Sequence, residues 1–177
     1  MKIERLWSMP NRWTFKITPI KNLLIEECMA LYNGEETWID PFAGKLSPVG
    51  YDYKNDLNPE MNTKHHLDAL EYLQSQETDY FDGLLYDPPY SIRQARECYR
   101  GHGYDKLKIK PNNMKYWSEC KNEAARIIKP GGKSICFGWN SNGLGINRGF
   151  KMTRILLIAH GGSQYDTIVT VETKNSS

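Results

Sequence analysis

Two short apolar runs in this chain stop in the same way: TWIDPFAG (residues 37–44) and GLLYDPPY (residues 83–90) each end in an acid followed by proline. Proline lacks a backbone donor and has a fixed φ, so neither Asp40-Pro41 nor Asp87-Pro88-Pro89 continues a helix or a central strand. Each run reads as a strand cut off at a rigid exit, with a carboxylate held where a sheet meets solvent. The exits lie 47 positions apart, about one strand-helix-strand excursion.

The rest of the pattern fits an α/β fold. Buried strands are predicted at 37–39, 83–86, 134–138 and 154–159, the last followed by 166–171. Helical spacing of apolar residues predicts helices over 67–74 and 114–128, the second ending at Lys129-Pro130-Gly131-Gly132. Nearly uniform apolar strands separated by helices imply a mostly parallel sheet covered on both faces, a three-layer sandwich. RILLIAH, then GGSQ, then YDTIVTVET has the spacing of a hairpin and is expected to add an antiparallel strand at the sheet edge. Residues 43–66 and 91–113 are less regular. Both follow a strand, and ligands of open α/β sheets sit beyond the carboxyl ends of the strands.

Bulk properties exclude several classes. The 177 residues, 40% hydrophobic and 25% charged, suit one soluble domain spanning 1–177. No stretch approaches the ~18 apolar residues of a membrane span, and MKIERLWSMPNRW lacks the apolar centre of a secretory signal, so a cytoplasmic protein is expected. The four cysteines form no CxxC pair and the histidines no ligand spacing; no metal is expected. The net charge of +2 is slight, but residues 93–121 hold eight basic side chains against three acids, a local surplus suited to a polyanion.

Candidate chemistry gathers at the strand ends. Asp56, in VGYDYKNDLNPE, follows a short second strand, where α/β nucleotide sites accept ribose hydroxyls; Asp52 competes for that role. Asp68 either accepts from an exocyclic amine or caps a helix. Asp40, Asp56 and Asp68 together are expected to surround a nucleoside that carries a positive centre. No GxxxxGK[ST] cradle is present, which disfavours a triphosphate. At the second exit the Asp87 carboxylate and the Pro88 carbonyl form a stiff pair of acceptors suited to the two hydrogens of an amino group, with Tyr90 as a stacking face. The plainer alternatives are a strand exit with Tyr90 as packing, and a solvated insertion after it. Past that exit Arg93, Gln94, Arg96 and Arg100 are candidates for phosphate or base contacts, and Lys106, Lys108 and Lys110 alternate along an extended segment. Trp139 and Asn140, after the fourth apolar run, fall near the same edge.

These residues carry a resemblance. Asp87-Pro88-Pro89-Tyr90 resembles the catalytic motif of the S-adenosyl-L-methionine-dependent amino methyltransferases that act on adenine N6 or cytosine N4 in DNA, with Ser91 after it a substrate-binding candidate. Asp40-Pro41-Phe42-Ala43-Gly44 resembles their cofactor motif, and Lys129-Pro130-Gly131-Gly132 the helix-to-strand turn of class I methyltransferases. Thr18-Pro19-Ile20-Lys21 is similar to the segment packing over the methionine part of the cofactor. The resemblance covers residues 14–174 and is nearest a compact subgroup found in phages and mobile elements. It implies a Rossmann-like class I fold, with Thr18, Pro19, Lys21, residues 40–44, Asp56, Leu57, Asp68 and Ala69 around the cofactor. Asp87, Pro88, Pro89 and Tyr90 would be catalytic, and DNA, double-stranded with a flipped base or single-stranded, would be the partner. The basic stretch at 91–113 would face that substrate, since no separate target-recognition domain is visible; a homodimer would add surface. Within the family, Asp87 rather than Ser at the first motif position favours adenine N6. DNA cytosine, RNA adenine and an inactive nucleic-acid-binding module are the alternatives. The family's cofactor motif usually continues into a full helix, whereas here eleven residues separate Gly44 from Asp56.

Overall fold

A computed structural model describes residues 1–102, 114–162 and 164–176. Six strands form one sheet: β1 (Lys2–Trp7), β2 (Trp38–Ile39), β3 (Phe81–Tyr86), β4 (Ile128–Gly138), β5 (Phe150–Ala159) and β6 (Thr167–Lys174), in the order β1-β5-β6-β4-β3-β2. β2, β3 and β4 are parallel neighbours, as are β1 and β5, while β6 runs antiparallel to both β4 and β5. The helices are α1 (Thr18–Glu27), α2 (Met29–Tyr32), α3 (Ala69–Gln74), α4 (Ile92–Gly101) and α5 (Met114–Ile127).

Side chains alternate between two cores, as strand geometry requires. Ile39, Leu84, Tyr86 and Cys136 pack under α3 and α5 with Leu73, Cys120, Ala124 and Ile127. Trp38, Leu85, Ile135 and Phe137 pack on the other face with Ile20, Leu23 and Leu24 of α1. The three-layer α/β expectation holds. Where Trp38 pairs with Gly83, the indole occupies the space of a missing side chain: a Cβ on Gly83 would lie 2.3 Å from two Trp38 ring atoms.

Several expectations change. The antiparallel strand of the final hairpin is internal, because β6 inserts between β4 and β5; the edge belongs to β1, which the sequence pattern did not reveal. Residues 129–132 are not a helix-to-strand turn: α5 passes directly into β4 at Ile128, and the four residues bulge out between Ile128, opposite Phe81, and Lys133, opposite Gly83. The irregular stretch after the second exit begins instead with helix α4. Arg154 of β5 anchors the edge, its guanidinium reaching Glu4 of β1 at 2.6 Å and Glu26 and Glu27 of α1 at 2.7 and 3.2 Å.

Beyond β2 the sheet shrinks to isolated parallel bridges, Asp40 with Lys54 and Asn55 with His65. Hydrogen bonds do there what a longer strand and helix would otherwise do. Asp40 N–H donates to Tyr53 O, Asn55 N–H to Asp40 O, Ala43 N–H to Asn55 O, and Gly44 N–H to Asp56 Oδ2 at 2.8 Å. The buried Asn55 amide completes the lacing, donating to Pro41 O and Leu67 O and accepting from Leu67 N–H. Gly44 adopts φ +54°, a left-handed conformation that glycine takes without strain. Asp40 is fully buried; its Oδ1 accepts Phe42 N–H at 2.9 Å while its Oδ2 has no partner. Burial raises its pKa to about 7.

Gly83→Ala should overpack against Trp38 and lower stability by about 1–3 kcal/mol, read as a reduced denaturant midpoint at unchanged slope. Asp40, with its folded pKa raised from the ordinary 3.8 to about 7, favours the fold fully at low pH and loses that contribution as pH rises through about 7. Asp40→Asn keeps the Phe42 acceptor and carries no charge. Stability measured across pH 4 to 7 should therefore decline less steeply in the variant than in the parent.

Candidate active site

The carboxyl ends of β2 and β3 open onto one cavity of about 810 Å³. Its walls come from the segment Pro10–Thr14 with Ile17, from Pro41, Phe42, Gly44 and Lys45, and from Asn55–Asn58 with Leu67 and Ala69. Glu60 and Met61 join them, and the rest is Asp87–Tyr90, Gln94, Cys98, Tyr99 and His102, Trp117, Trp139, and His160 with Gln164, Tyr165 and Thr167. Ligand pockets cluster at such sheet edges and span about 300–1,000 Å³.

The two acid-proline exits differ by one residue. Asp40 finds a backbone donor in its own turn, the amide two positions on. At Asp87 that position is Pro89, which has no N–H, so the Asp87 carboxylate has no local backbone donor. It takes the Tyr90 hydroxyl instead, Oη donating to Oδ1 at 2.7 Å. Surrounding protein raises the Asp87 pKa, against the opposing pull of the Thr14 and Tyr90 hydroxyls. Burial, then the neighbouring carboxylate, raises the Tyr90 phenol, which stays a neutral donor. Tyr90 N–H donates to Gln94 Oε1 at 2.8 Å, and Ser91 Oγ caps α4 by accepting Gln94 N–H, so the turn is fixed to the helix after it.

Asp56 stands across the cavity. Each of its oxygens accepts one backbone N–H, from Gly44 and from Asn58, both at 2.8 Å. A carboxylate has about four acceptor positions, so two stay open for hydroxyls.

Of the twelve residues expected at the cofactor, Pro41, Phe42, Gly44, Asp56, Leu57 and Ala69 line the cavity. The three carboxylates do not converge. Asp40 is sealed beneath the turn, and Asp68 is fully employed: Oδ1 caps α3 at Leu70 and Glu71, while Oδ2 accepts the Tyr99 and Tyr116 hydroxyls at 2.7 and 3.1 Å. Ala43 is buried outside the lining, and Asp52 pairs with Lys64 at the surface. Thr18, Pro19 and Lys21 open α1 and do not line the cavity; the segment preceding them does.

On the substrate side Asp87, Pro88, Pro89, Tyr90, Gln94 and Trp139 line the cavity. Arg93, Arg96 and Arg100 do not; they share an outward face of α4, opposite the buried Ala95 and Tyr99, and Arg93 pairs with Glu97 at 2.9 Å. Ser91 is a cap, and Asn140 Oδ1 accepts Asn142 N–H in a turn. Lys106, Lys108 and Lys110 lie outside the described residues. Sequence reading missed Trp13, Thr14 and Ile17, whose only signal is position just before Thr18-Pro19, and it missed Tyr165 in the hairpin loop. Among the described residues no helix is long and apolar enough to cross a membrane, and no group of three His, Cys, Asp or Glu is placed to hold a metal ion.

Comparison of the sequence with protein families and with curated proteins returns no match. Solved structures do match. The N-methyltransferase NodS from Bradyrhizobium japonicum is similar at TM-score 0.54 and 9% identity, over 89% of this chain and 98% of NodS. yhhF, an Escherichia coli protein named as a methyltransferase, gives 0.53 and 10%, over 96% of this chain and 91% of its own. TrmN from Thermus thermophilus gives 0.54 and 15%, over 89% of this chain and 49% of TrmN. With its parallel strands, one internal antiparallel strand and a cavity at the carboxyl edge, the protein has the Rossmann-like class I methyltransferase fold.

Proposed function

We propose that this protein is an S-adenosylmethionine-dependent methyltransferase acting on adenine N6 in DNA. One observation carries the reading. The Asp87 carboxylate, which its own turn leaves without a backbone donor, lines a nucleotide-sized cavity with Pro88 and Tyr90, and the Asp56 carboxylate lines the same cavity.

The residues present fit the cofactor. Asp56 keeps acceptor positions for a ribose diol, Phe42, Leu57 and Ala69 offer apolar walls for an adenine, and the Gly44 turn presents backbone without a side chain. Bound there, the cofactor would supply an activated methyl group on a sulfonium. The chain's own task is orientation. An aromatic amine is a poor nucleophile because its lone pair is delocalised into the ring. Two acceptors, Asp87 Oδ and the Pro88 carbonyl, hold its two hydrogens and favour the geometry in which that pair is directed at the reacting carbon. Tyr90 and the aromatic wall exclude water and stack on the base, which must leave a duplex or come from a single strand. Arg93, Arg96 and Arg100 on the outer face of α4 offer contacts to the phosphate backbone.

The direct test is label transfer from radioactive S-adenosylmethionine to unmethylated DNA, with the product digested to nucleosides and resolved by mass spectrometry. N6-methyladenine is expected; N4-methylcytosine or a product only on RNA changes the substrate. No transfer together with no cofactor binding by calorimetry overturns the enzyme reading.

Asp87→Ala should lower kcat by about 100- to 1,000-fold, in line with the loss of one transition-state hydrogen-bond partner, and leave cofactor Kd within about twofold. Asp87 is the stronger acceptor when ionised, and once protonated it can turn an O–H donor toward the amine instead. Because burial raises its pKa, kcat/KM should rise with pH through a midpoint above that of an exposed aspartate. Asp87→Asn should keep measurable activity and lose that acid limb. An acid limb retained in the Asn variant assigns the titration to another group.

A further inference from the structure

Two rings at the cavity rim have no place in either core. Trp139 follows β4 and Tyr165 precedes β6, and because these strands are antiparallel neighbours, with Gly138 opposite Ile168, the two residues meet at the same end of the sheet. Trp139 stands nearly edge-on to Tyr90, centroids 5.8 Å apart at 71°, and Tyr165 lies against Trp139 at 4.5 Å and 35°. The result is a run of three rings leading from Asp87 toward solvent. Trp139 is 37% exposed and Tyr165 72%, and neither belongs to the buried clusters that hold the sheet.

We infer that Trp139 and Tyr165 form a stacking subsite for an unpaired nucleobase adjacent to the one whose amine Asp87 receives. The inference rests on the function proposed above and narrows its substrate to a target flanked by single-stranded nucleic acid, whether supplied as such or opened from a duplex. Continuity carries it: the rings extend the same cavity wall that begins at Tyr90. Trp139 and Tyr165 lie against each other at 4.5 Å and 35° with no slot between them, so a base would stack on the solvent-exposed face of Tyr165. Tyr165 is largely open to solvent, the character of a sequence-tolerant base platform, and Gln164 beside it lines the cavity with an amide able to meet a base edge.

The probe is a single-stranded oligonucleotide with one target adenine and 2-aminopurine as its neighbour on either side. With wild-type protein the 2-aminopurine fluorescence should be quenched on binding in one of the two placements. Tyr165→Leu, which keeps apolar bulk and removes the ring, should lose that quench and weaken binding about tenfold. Tyr165→Phe should retain both, and S-adenosylmethionine affinity by calorimetry should be the same in all three proteins. Quenching and oligonucleotide affinity unchanged in Tyr165→Leu overturn the subsite while leaving the methyltransferase reading intact. A wild-type protein that binds S-adenosylmethionine but neither binds nor methylates the oligonucleotide, nor any double-stranded DNA, overturns the nucleic-acid reading together with the subsite.

Discussion

The parallel pairing of β2 with β3, closed by Trp38 lying over Gly83, is the contact on which the site depends. Only two residue pairs make this ladder, Trp38 with Gly83 and Ile39 with Leu84. Yet it fixes where both strands end, and therefore how the turn after Ile39 stands relative to the turn after Tyr86. Any side chain at position 83 forces the indole away and shifts one exit against the other. For the alignment chemistry proposed above, a misplacement of about 1 Å can cost about a hundredfold in rate. The conformational freedom of Gly83 is incidental; the site needs its missing volume.

Given that frame, the same acid-proline pair serves opposite purposes through local covalent structure alone. After Asp40 the chain offers an amide at Phe42, and the carboxylate folds back to accept it, sealing a tight turn whose Gly44 reaches Asp56. After Asp87 a second proline withholds that amide, and the carboxylate stays on the cavity wall, where side-chain hydroxyls such as that of Tyr90 take the amide's place. One carboxylate is consumed in building the turn, and the other is left with acceptor capacity for a ligand. Both are pushed toward the neutral form by burial, which for Asp40 bears on stability and for Asp87 on the proposed reception of a target amine.

How much of this the sequence disclosed follows from where each element is buried. β2, β3 and β4 are covered on both faces, so they read as apolar runs, and α5 shows its buried face at helical spacing. β1 escapes such reading because most of its side chains are exposed; backbone pairing with β5 and the Glu4 to Arg154 ion pair hold it. α4 escapes because its composition is polar and only Ala95 and Tyr99 are buried. Asn55 looks like one more loop residue, though its amide bridges Pro41 and Leu67, fourteen and twelve positions away. Side-chain hydrogen bonds over such separations leave no periodic trace. Asp68 illustrates the reverse error: an acid at a loop-helix boundary admits either a ligand role or a cap, and the choice turned on Tyr99 and Tyr116, distant residues that no local pattern connects to it.

That cap also ties the two sides of the cavity together. Asp68 Oδ1 holds the start of α3, while Oδ2 takes hydroxyls from α4 and α5, and the Tyr99 and Tyr116 oxygens lie 2.9 Å apart. Burial raises both phenols, so they remain protonated donors over the whole neutral range. α4 carries the outward arginines and is fixed at its start to the Asp87 turn through Gln94; its far end is fixed through Tyr99 to the residue beside Ala69, which lines the cavity. A helix anchored to both walls cannot shift at one end without straining the other. Contacts made by its outer face would therefore be felt at Asp87 and Ala69 together, through a short chain of hydrogen bonds whose buried members have no water to substitute for them.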